Sequence, residues 1–346
     1  MAGIAAFVLG CELLCRLLPV SSSTETGYYI DPQILTYPPR HHWTASRGWD
    51  LRNPQRLQSN NFGFVAERDF VRDENAVALI GDSFVEAGML DADKRPAVQL
   101  ERALGSRRPV YAMGGPGSAL LDYAERIRFA NQNFGVRDFV VLMERGDVMQ
   151  SLCSSGNVHA PCLDRKTLDP RVEHQPPPGF AKRVFRQSAL AQYVFSQLEL
   201  APSRLWPQAI AQSRPGGGSL DDIAGGATIP DRAKNPGGII PRPEIDAVTR
   251  LFFARIAPYA RGRLIIVVDS QRALLRQGAI PVDASRDRFI ELARAHGADV
   301  VDTQPLFVEH HLHSRLRLDV GPYDAHFNAL GAAIVMQAAA ESLRRQ

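Results

Sequence analysis

The stretch Asn75-Ala76-Val77-Ala78-Leu79-Ile80-Gly81-Asp82-Ser83-Phe84 decides the fold. Its first six residues are a short apolar run, the pattern of a strand buried on both faces. Gly81 permits a tight turn, and Ser83 then stands where the strand gives way to a helix. That is the carboxyl edge at which open α/β sheets hold their ligands, and a serine there gains from the helix amides and the positive end of their dipole. A serine or aspartate at this point is also the ordinary choice for capping a helix, so the tripeptide alone does not separate nucleophile from cap.

Outward from this stretch the same alternation repeats. Residues 95–104 carry helical spacing, 109–113 read as a second strand, and 118–133 form a helix whose apolar face is Leu120, Leu121, Ala124, Ile127 and Ala130. A third strand follows at 139–143. Further on, helices are expected at 244–257 and 286–296, strands at 263–269 and 299–302, and a closing helix at 328–344. Strands alternating with helices call for a three-layer α/β/α sandwich with a mainly parallel sheet. The regularity breaks between 150 and 241, where Pro176, Pro177 and Pro178 precede glycine clusters at 216–218 and 225–226. That span reads as an insertion, helical over 187–200, with 214–238 a lid or an irregular loop.

The expected organisation is therefore an N-terminal anchor over 1–20, an extended lead-in over 21–74, and a domain over 75–346 that carries the insertion 150–241. Ile4 to Leu9 and Leu13 to Val20 are apolar, broken by Gly10, Cys11, Glu12 and Arg16. Two readings stand: an uncleaved membrane anchor, preferred here, and an amphipathic helix packed on the domain. Glu12 and Arg16, four apart, would be neighbours on a helix. A net charge of +3, with Arg mixed among Asp and Glu, provides no basic stripe of the kind nucleic acids require. Cys153 and Cys162 flank a short segment that suits a disulfide, which would need an oxidising compartment, or they are two unrelated free thiols. With the anchor they point to a periplasmic or extracytoplasmic location, tethered to the inner membrane.

Near the other end lies Asp324-Ala325-His326-Phe327-Asn328. Residues two apart in extended chain point to one side, so Asp324 can bond one imidazole nitrogen of His326 and leave the other for a hydroxyl. Together with Ser83 this makes a candidate nucleophile, base and orienting acid. Strand, Gly-Asp-Ser, a glycine-rich turn after the second strand and Asp-x-His-x-Asn before the last helix resemble the SGNH/GDSL hydrolase superfamily over 75–147 and 242–346. The resemblance implies Ser83, Asp324 and His326 as catalytic triad, with no cofactor. It also implies an oxyanion hole from the Ser83 amide, a glycine amide and an asparagine side chain.

Within Gly114-Gly115-Pro116-Gly117 the best match to the amide-donating glycine is Gly117. The third block departs from the pattern: Glu144-Arg145-Gly146-Asp147 puts glycine where the donor asparagine should stand, and losing one such donor costs roughly 100- to 1000-fold in rate. Arg145 is the expected substitute, and Asp147 is read as structural. The lead-in Asn60-Asn61-Phe62-Gly63-Phe64 is similar to that of membrane-tethered members linked to envelope polysaccharides. The function expected is an esterase or acyltransferase acting on acyl, chiefly O-acetyl, groups of an envelope or extracellular polysaccharide, with export or synthesis proteins as partners. The alternative is a catalytically silent carbohydrate-binding or scaffolding member of an export assembly. Glu309-His310-His311-Leu312-His313 packs its histidines too closely to enclose an ion, so no metal is expected.

Overall fold

A computed structural model describes residues 2–22, 25–155, 161–198, 200, 241–321 and 324–345. The span 214–238, read as a lid or loop, lies outside the described residues.

Five strands form one sheet: β1 (Val77–Ile80), β2 (Val110–Met113), β3 (Asp138–Met143), β4 (Leu264–Val268) and β5 (Asp299–Asp302). Their order is β5-β4-β3-β1-β2 and every neighbouring pair is parallel. Because side chains alternate across a strand, each apolar run feeds two cores at once. Ala78, Ile80, Tyr111, Met113, Phe139, Val141, Ile266 and Val268 face one layer, where they meet Leu120, Leu121 and Ala124, then Val248 and Phe252, and Phe289. Val77, Leu79, Val110, Val140, Leu142, Ile265 and Val267 face the other, against Leu100, Phe307, Val335, Met336 and Ala339. This is the three-layer α/β/α sandwich that the alternation called for.

Helix limits follow from their ends. The helix Leu120–Phe134 stops at Gly135, which takes φ 76° as a left-handed cap, and its Asp122 carboxylate accepts the Ala119 amide. The helix Ala284–Ala295 begins two residues earlier than its periodicity suggested, because Asp283 caps it by accepting from the Arg286 amide. Among the helices not read from sequence are two around β5. Arg272–Arg276 is a single short turn, and Thr303–His313 places the His310–His313 cluster on a helix.

The lead-in is more ordered than an extended segment. Gly27–Asp31 pairs with Ile34–Thr36, and His42–Arg47 pairs with Arg52–Gln58, both antiparallel. In Arg52–Gln58 only Leu57 is buried, so no alternation of apolar residues advertises the strand. Cross-strand pairing makes it, not its own sequence.

The described chain divides into two compact units. One contains the sheet and its helices, with residues 26–40 and 59–175. The other draws together the chain up to Glu25, His41–Gln58 and the insertion from Pro176. Inside this second unit the Glu12 carboxylate accepts from Ser188 Oγ and from the amides of Ala189 and Leu190, and also meets Arg16 Nε at 2.7 Å. Those donors hold the Glu12 carboxyl down at about 2, the Leu190 amide contributing most. The pairing of Glu12 with Arg16 is as expected, but its chief use is to cap the short helix Ala189–Gln192.

Candidate active site

The turn after β1 admits only glycine at its first position. A β-carbon on Gly81 would lie 2.8 Å from the Leu142 carbonyl oxygen of the adjacent strand. Asp82 is the N-cap of the single turn Ser83–Glu86, its Oδ1 accepting the Phe84 amide at 2.8 Å. Cap and candidate nucleophile are thus adjacent residues, and both readings of Asp82-Ser83 hold in their own place. The turn after β2 packs on the same backbone: a β-carbon on Gly114 would fall 2.3 Å from the Glu86 nitrogen and 2.9 Å from the Asp82 oxygen. Gly117, with φ 71°, lies in the left-handed region that favours glycine.

Ser83 Oγ lies 2.8 Å from Nε2 of His326, and His326 Nδ1 lies 2.5 Å from Asp324 Oδ1. The same Asp324 oxygen accepts the His326 amide at 3.0 Å, which turns the carboxylate back on its own loop. Asp324 and His326 are buried. An aspartate on Nδ1 keeps the proton there, so Nε2 presents a lone pair to the serine hydroxyl. The structure therefore brings together residues that are 243 positions apart in the chain. Asn328 follows the pair but acts on the fold: Oδ1 caps the last helix through the Gly331 amide, and Nδ2 reaches the carbonyls of Arg317 and Asp319.

Several residues around this group carry no sequence signal. Arg126, fully buried, donates from Nη1 to the carbonyls of Gly81 and Met113, the ends of β1 and β2, and from Nη2 to Ser118 Oγ. It ties the nucleophile turn to the glycine-rich turn. Glu86, one turn beyond Ser83, accepts the Tyr37 hydroxyl at 3.1 Å on both carboxylate oxygens. Tyr37 is held in turn by Asn60-Asn61-Phe62-Gly63-Phe64, since its amide donates to Gly63 O and a β-carbon on Gly63 would come 2.1 Å from its carbonyl oxygen. The lead-in motif thus braces the underside of the nucleophile helix.

Burial pushes the Glu86 carboxyl up to about 7, against the Tyr37 hydroxyl and the charge of Arg95, which pull it down. From its ordinary value of 4.5 to about 7 the unfolded chain has lost this proton while the folded chain keeps it. Stability from this group is thus complete below pH 4.5 and is lost as the pH rises through that window, at up to ~1.4 kcal/mol per pH unit. Glu86→Gln is expected to flatten the slope. Urea unfolding of both proteins at several pH values between 4.5 and 7.5 measures it, and parallel curves would exclude this origin.

The third block sets Arg145 and Gly146 against Glu144. Arg145 Nε sits 3.7 Å from Glu144 Oε1, with its side chain about a quarter exposed, so it lies against its neighbour. Gly146 donates its amide to Glu144 Oε2 at 2.7 Å, and a β-carbon there would meet that oxygen at 2.6 Å and Gln150 Nε2 at 2.9 Å. A carboxylate and a carboxamide thus fill the room an asparagine at 146 would use. Asp147 is structural as read: fully buried, its Oδ2 accepts the Glu144 amide and the Tyr123 hydroxyl.

The histidine cluster makes local bonds: His310 Nε2 with Leu316 O at 2.9 Å and His313 Nδ1 with Glu309 O at 3.0 Å. Among the described residues, Cys153, Cys162 and Glu173 have the spacing of a metal site, but the two cysteines are joined in a disulfide with Cα atoms 5.0 Å apart.

No protein-family model matches the chain, and no curated protein matches it. Solved structures similar to it include LAE5, an α/β hydrolase from the metagenome of Lake Arreo, at 15% identity and TM-score 0.40 over 80% of this chain and 99% of that one. A member of the lipolytic G-D-S-L family from Veillonella parvula matches at 10% identity and TM-score 0.40, over 78% and 99%. A carbohydrate acetylesterase family member from Sinorhizobium meliloti matches at 12% and 0.34, over 78% and 97%. With a parallel sheet whose carboxyl edge carries Gly81-Asp82-Ser83, and with Ser83, His326 and Asp324 bonded in series, the chain has a three-layer α/β/α fold that brings these three side chains into one line.

Proposed function

We propose that the chain transfers small acyl groups from esters through Ser83. The observation that carries this is the unbroken line from Ser83 Oγ through His326 to Asp324. His326 takes the hydroxyl proton as Oγ attacks the ester carbonyl, and the backbone amides of Ser83 and Gly117 receive the charge on the oxygen. Collapse of the tetrahedral intermediate expels the alkoxide, which takes the proton back from His326. Water or a sugar hydroxyl, deprotonated by the same imidazole, then releases the acyl group. The substrate we propose is an O-acetylated envelope or extracellular polysaccharide, on the strength of the lead-in and triad blocks. Labelling of Ser83 by a fluorophosphonate, lost in Ser83→Ala, tests the chemistry.

A second reading has its own observation. With Glu144 and Gln150 in the space at position 146, the hole as proposed rests on the amides of Ser83 and Gly117. A silent, glycan-binding or scaffolding role then competes. Both obstructing groups are ends of flexible side chains, so Gly146→Asn can be accommodated. If the third donor is what limits turnover, this variant should raise kcat on p-nitrophenyl acetate by about 10- to 100-fold with little change in KM. An unchanged kcat would show that the hole works as it is.

We further propose attachment to a membrane surface in an oxidising compartment. No helix among the described residues is long and apolar enough to cross a membrane. The helix Ala2–Leu17 has 16 residues, ~24 Å at 1.5 Å each, against ~30 Å of hydrocarbon. Its polar interruptions Cys11, Glu12 and Cys15 are wholly or partly buried, leaving Ile4, Phe7, Leu13 and Leu17 exposed. In the same unit the helix Phe180–Gln187 exposes Phe180 and Val184 beside Arg183. Apolar residues with an arginine suit an anionic lipid surface. Phe7→Glu combined with Leu17→Glu is expected to weaken binding to phosphatidylglycerol vesicles by roughly tenfold or more, read by flotation. Equal flotation of both proteins would exclude this helix as the contact. The Cys153–Cys162 disulfide supports the choice of compartment.

A further inference from the structure

One buried cation touches the triad loop without belonging to the triad. Arg272 opens the short helix after β4, and its guanidinium is almost wholly buried. Its Nε donates to Asp319 Oδ1 at 2.6 Å, Nη1 to the carboxylate of Asp269, and Nη2 to the backbone carbonyl of Ala325. Its flat face lies over Phe327, 4.2 Å from the ring centroid, and 5.4 Å from that of Phe84, which packs on the His326 ring at 4.7 Å. Asp269 is itself held, since its carbonyl accepts Arg286 Nε at 2.8 Å.

Ala325 is the middle residue of Asp324-Ala325-His326. The peptide unit joining it to His326 is gripped from both sides: its carbonyl by Arg272, its N–H by Asp324 Oδ1. That same Oδ1 must reach His326 Nδ1, and it does so only while this peptide keeps its orientation. We infer that Arg272 is a positioning residue for acyl transfer, a clamp that sets the Asp324–His326 pair through the Ala325 carbonyl and the ring of Phe84. Arginine is required because one planar group must serve two carboxylates and a carbonyl while stacking on an aromatic face, which an ammonium cannot do. The two carboxylates answer the cation's charge, so it is not left uncompensated beside the imidazolium that forms during the reaction.

The inference rests on the acyl-transfer reading, and the experiment separates the two. Second-order labelling of Ser83 by a fluorophosphonate reports how well His326 activates the serine, independently of the natural substrate. Arg272→Lys is expected to label about tenfold slower and Arg272→Ala about 100-fold slower, the scale of a small misplacement of a reacting group. KM for p-nitrophenyl acetate should stay within about twofold, so that the loss lies in kcat. Millimolar guanidinium should restore part of the Arg272→Ala rate and leave the parent protein unaffected, a recovery that a merely loosened fold would not show. Circular dichroism establishes that each variant is folded. A parental labelling rate in folded Arg272→Lys or Arg272→Ala overturns the inference. If neither folds, Phe327→Leu, which removes the ring beneath the guanidinium, decides by the same rate: slower labelling supports the clamp and an unchanged rate overturns it. A parent that does not label removes the acyl-transfer reading, and the clamp with it.

Discussion

Ser83→Ala and His326→Asn are each expected to abolish fluorophosphonate labelling and to lower ester turnover by about 10⁴-fold or more. Without Oγ there is no atom to accept the acyl group, and without Nε2 the hydroxyl keeps its proton at neutral pH. The two act through one bond, 2.8 Å long, so the double variant should be no slower than either single one. Asp324→Asn should cost less than either, because the imidazole remains and loses only its tautomer and orientation. Arg145→Ala is expected to keep nearly all of the parental turnover, since its side chain lies against Glu144. Turnover of p-nitrophenyl acetate and intact-protein mass spectrometry of the labelled chain measure all of these. Full labelling of Ser83→Ala would place the nucleophile elsewhere. A large loss in Arg145→Ala would restore the arginine to the oxyanion hole.

Gly114→Ala is expected to be the most damaging single methyl near the site. The added carbon would lie 2.3 Å from the Glu86 nitrogen and 2.9 Å from both the Val85 carbonyl carbon and the Asp82 oxygen, all main-chain atoms of the nucleophile turn. A side-chain tip can rotate away from such a contact, whereas these atoms can move only if the turn carrying Ser83 moves with them. Overpacking of this kind costs about 3 kcal/mol. In a unit of this size that lowers Tm by roughly 6–12 °C. Labelling should fall as well, because Ser83 Oγ would leave His326 Nε2. Gly105→Ala is the control: its φ of 73° disfavours a side chain, but nothing stands within 4 Å, so the cost is the local ~1–2 kcal/mol and labelling should be unchanged. A Gly114→Ala protein that melts and labels like the parent would show that the two turns are not in firm contact.

Short strands buried on both faces must be apolar throughout, and helices that cover them must repeat near every 3.6 residues. For that reason β1, β2, β3 and β4, and the helices between them, were legible from local pattern alone. Ser83, Asp324 and His326 were legible because each lies within a local motif, Gly81-Asp82-Ser83 at a strand end and Asp324-Ala325-His326 before the last helix. What no local pattern carries is what depends on groups distant in the chain. The strands at 42–47 and 52–58 exist through pairing with each other. Glu86 reads as an ordinary helical residue until Tyr37, 49 positions away, is placed on it. Arg126 and Arg272 look like surface arginines in sequence. The converging ends of β1 and β2, and for Arg272 the Asp269 carboxylate after β4 with the Asp319–Gly321 and Asp324–Phe327 strands folding back as a pair, supply the carbonyls and carboxylates that make their burial tolerable. The departure at Gly146 was visible in the sequence, but not which side chains would fill its place. Arg145 stands one residue away, and the tertiary structure lays it against Glu144 and puts Gln150, one helical turn on, beside position 146. Sequence alone determined the scaffold, Ser83 at its strand end and the Asp324–His326 pair, because each is written in local spacing. The tertiary structure alone decided how that line is held, since burying a charge depends on partners that only the folded chain brings near.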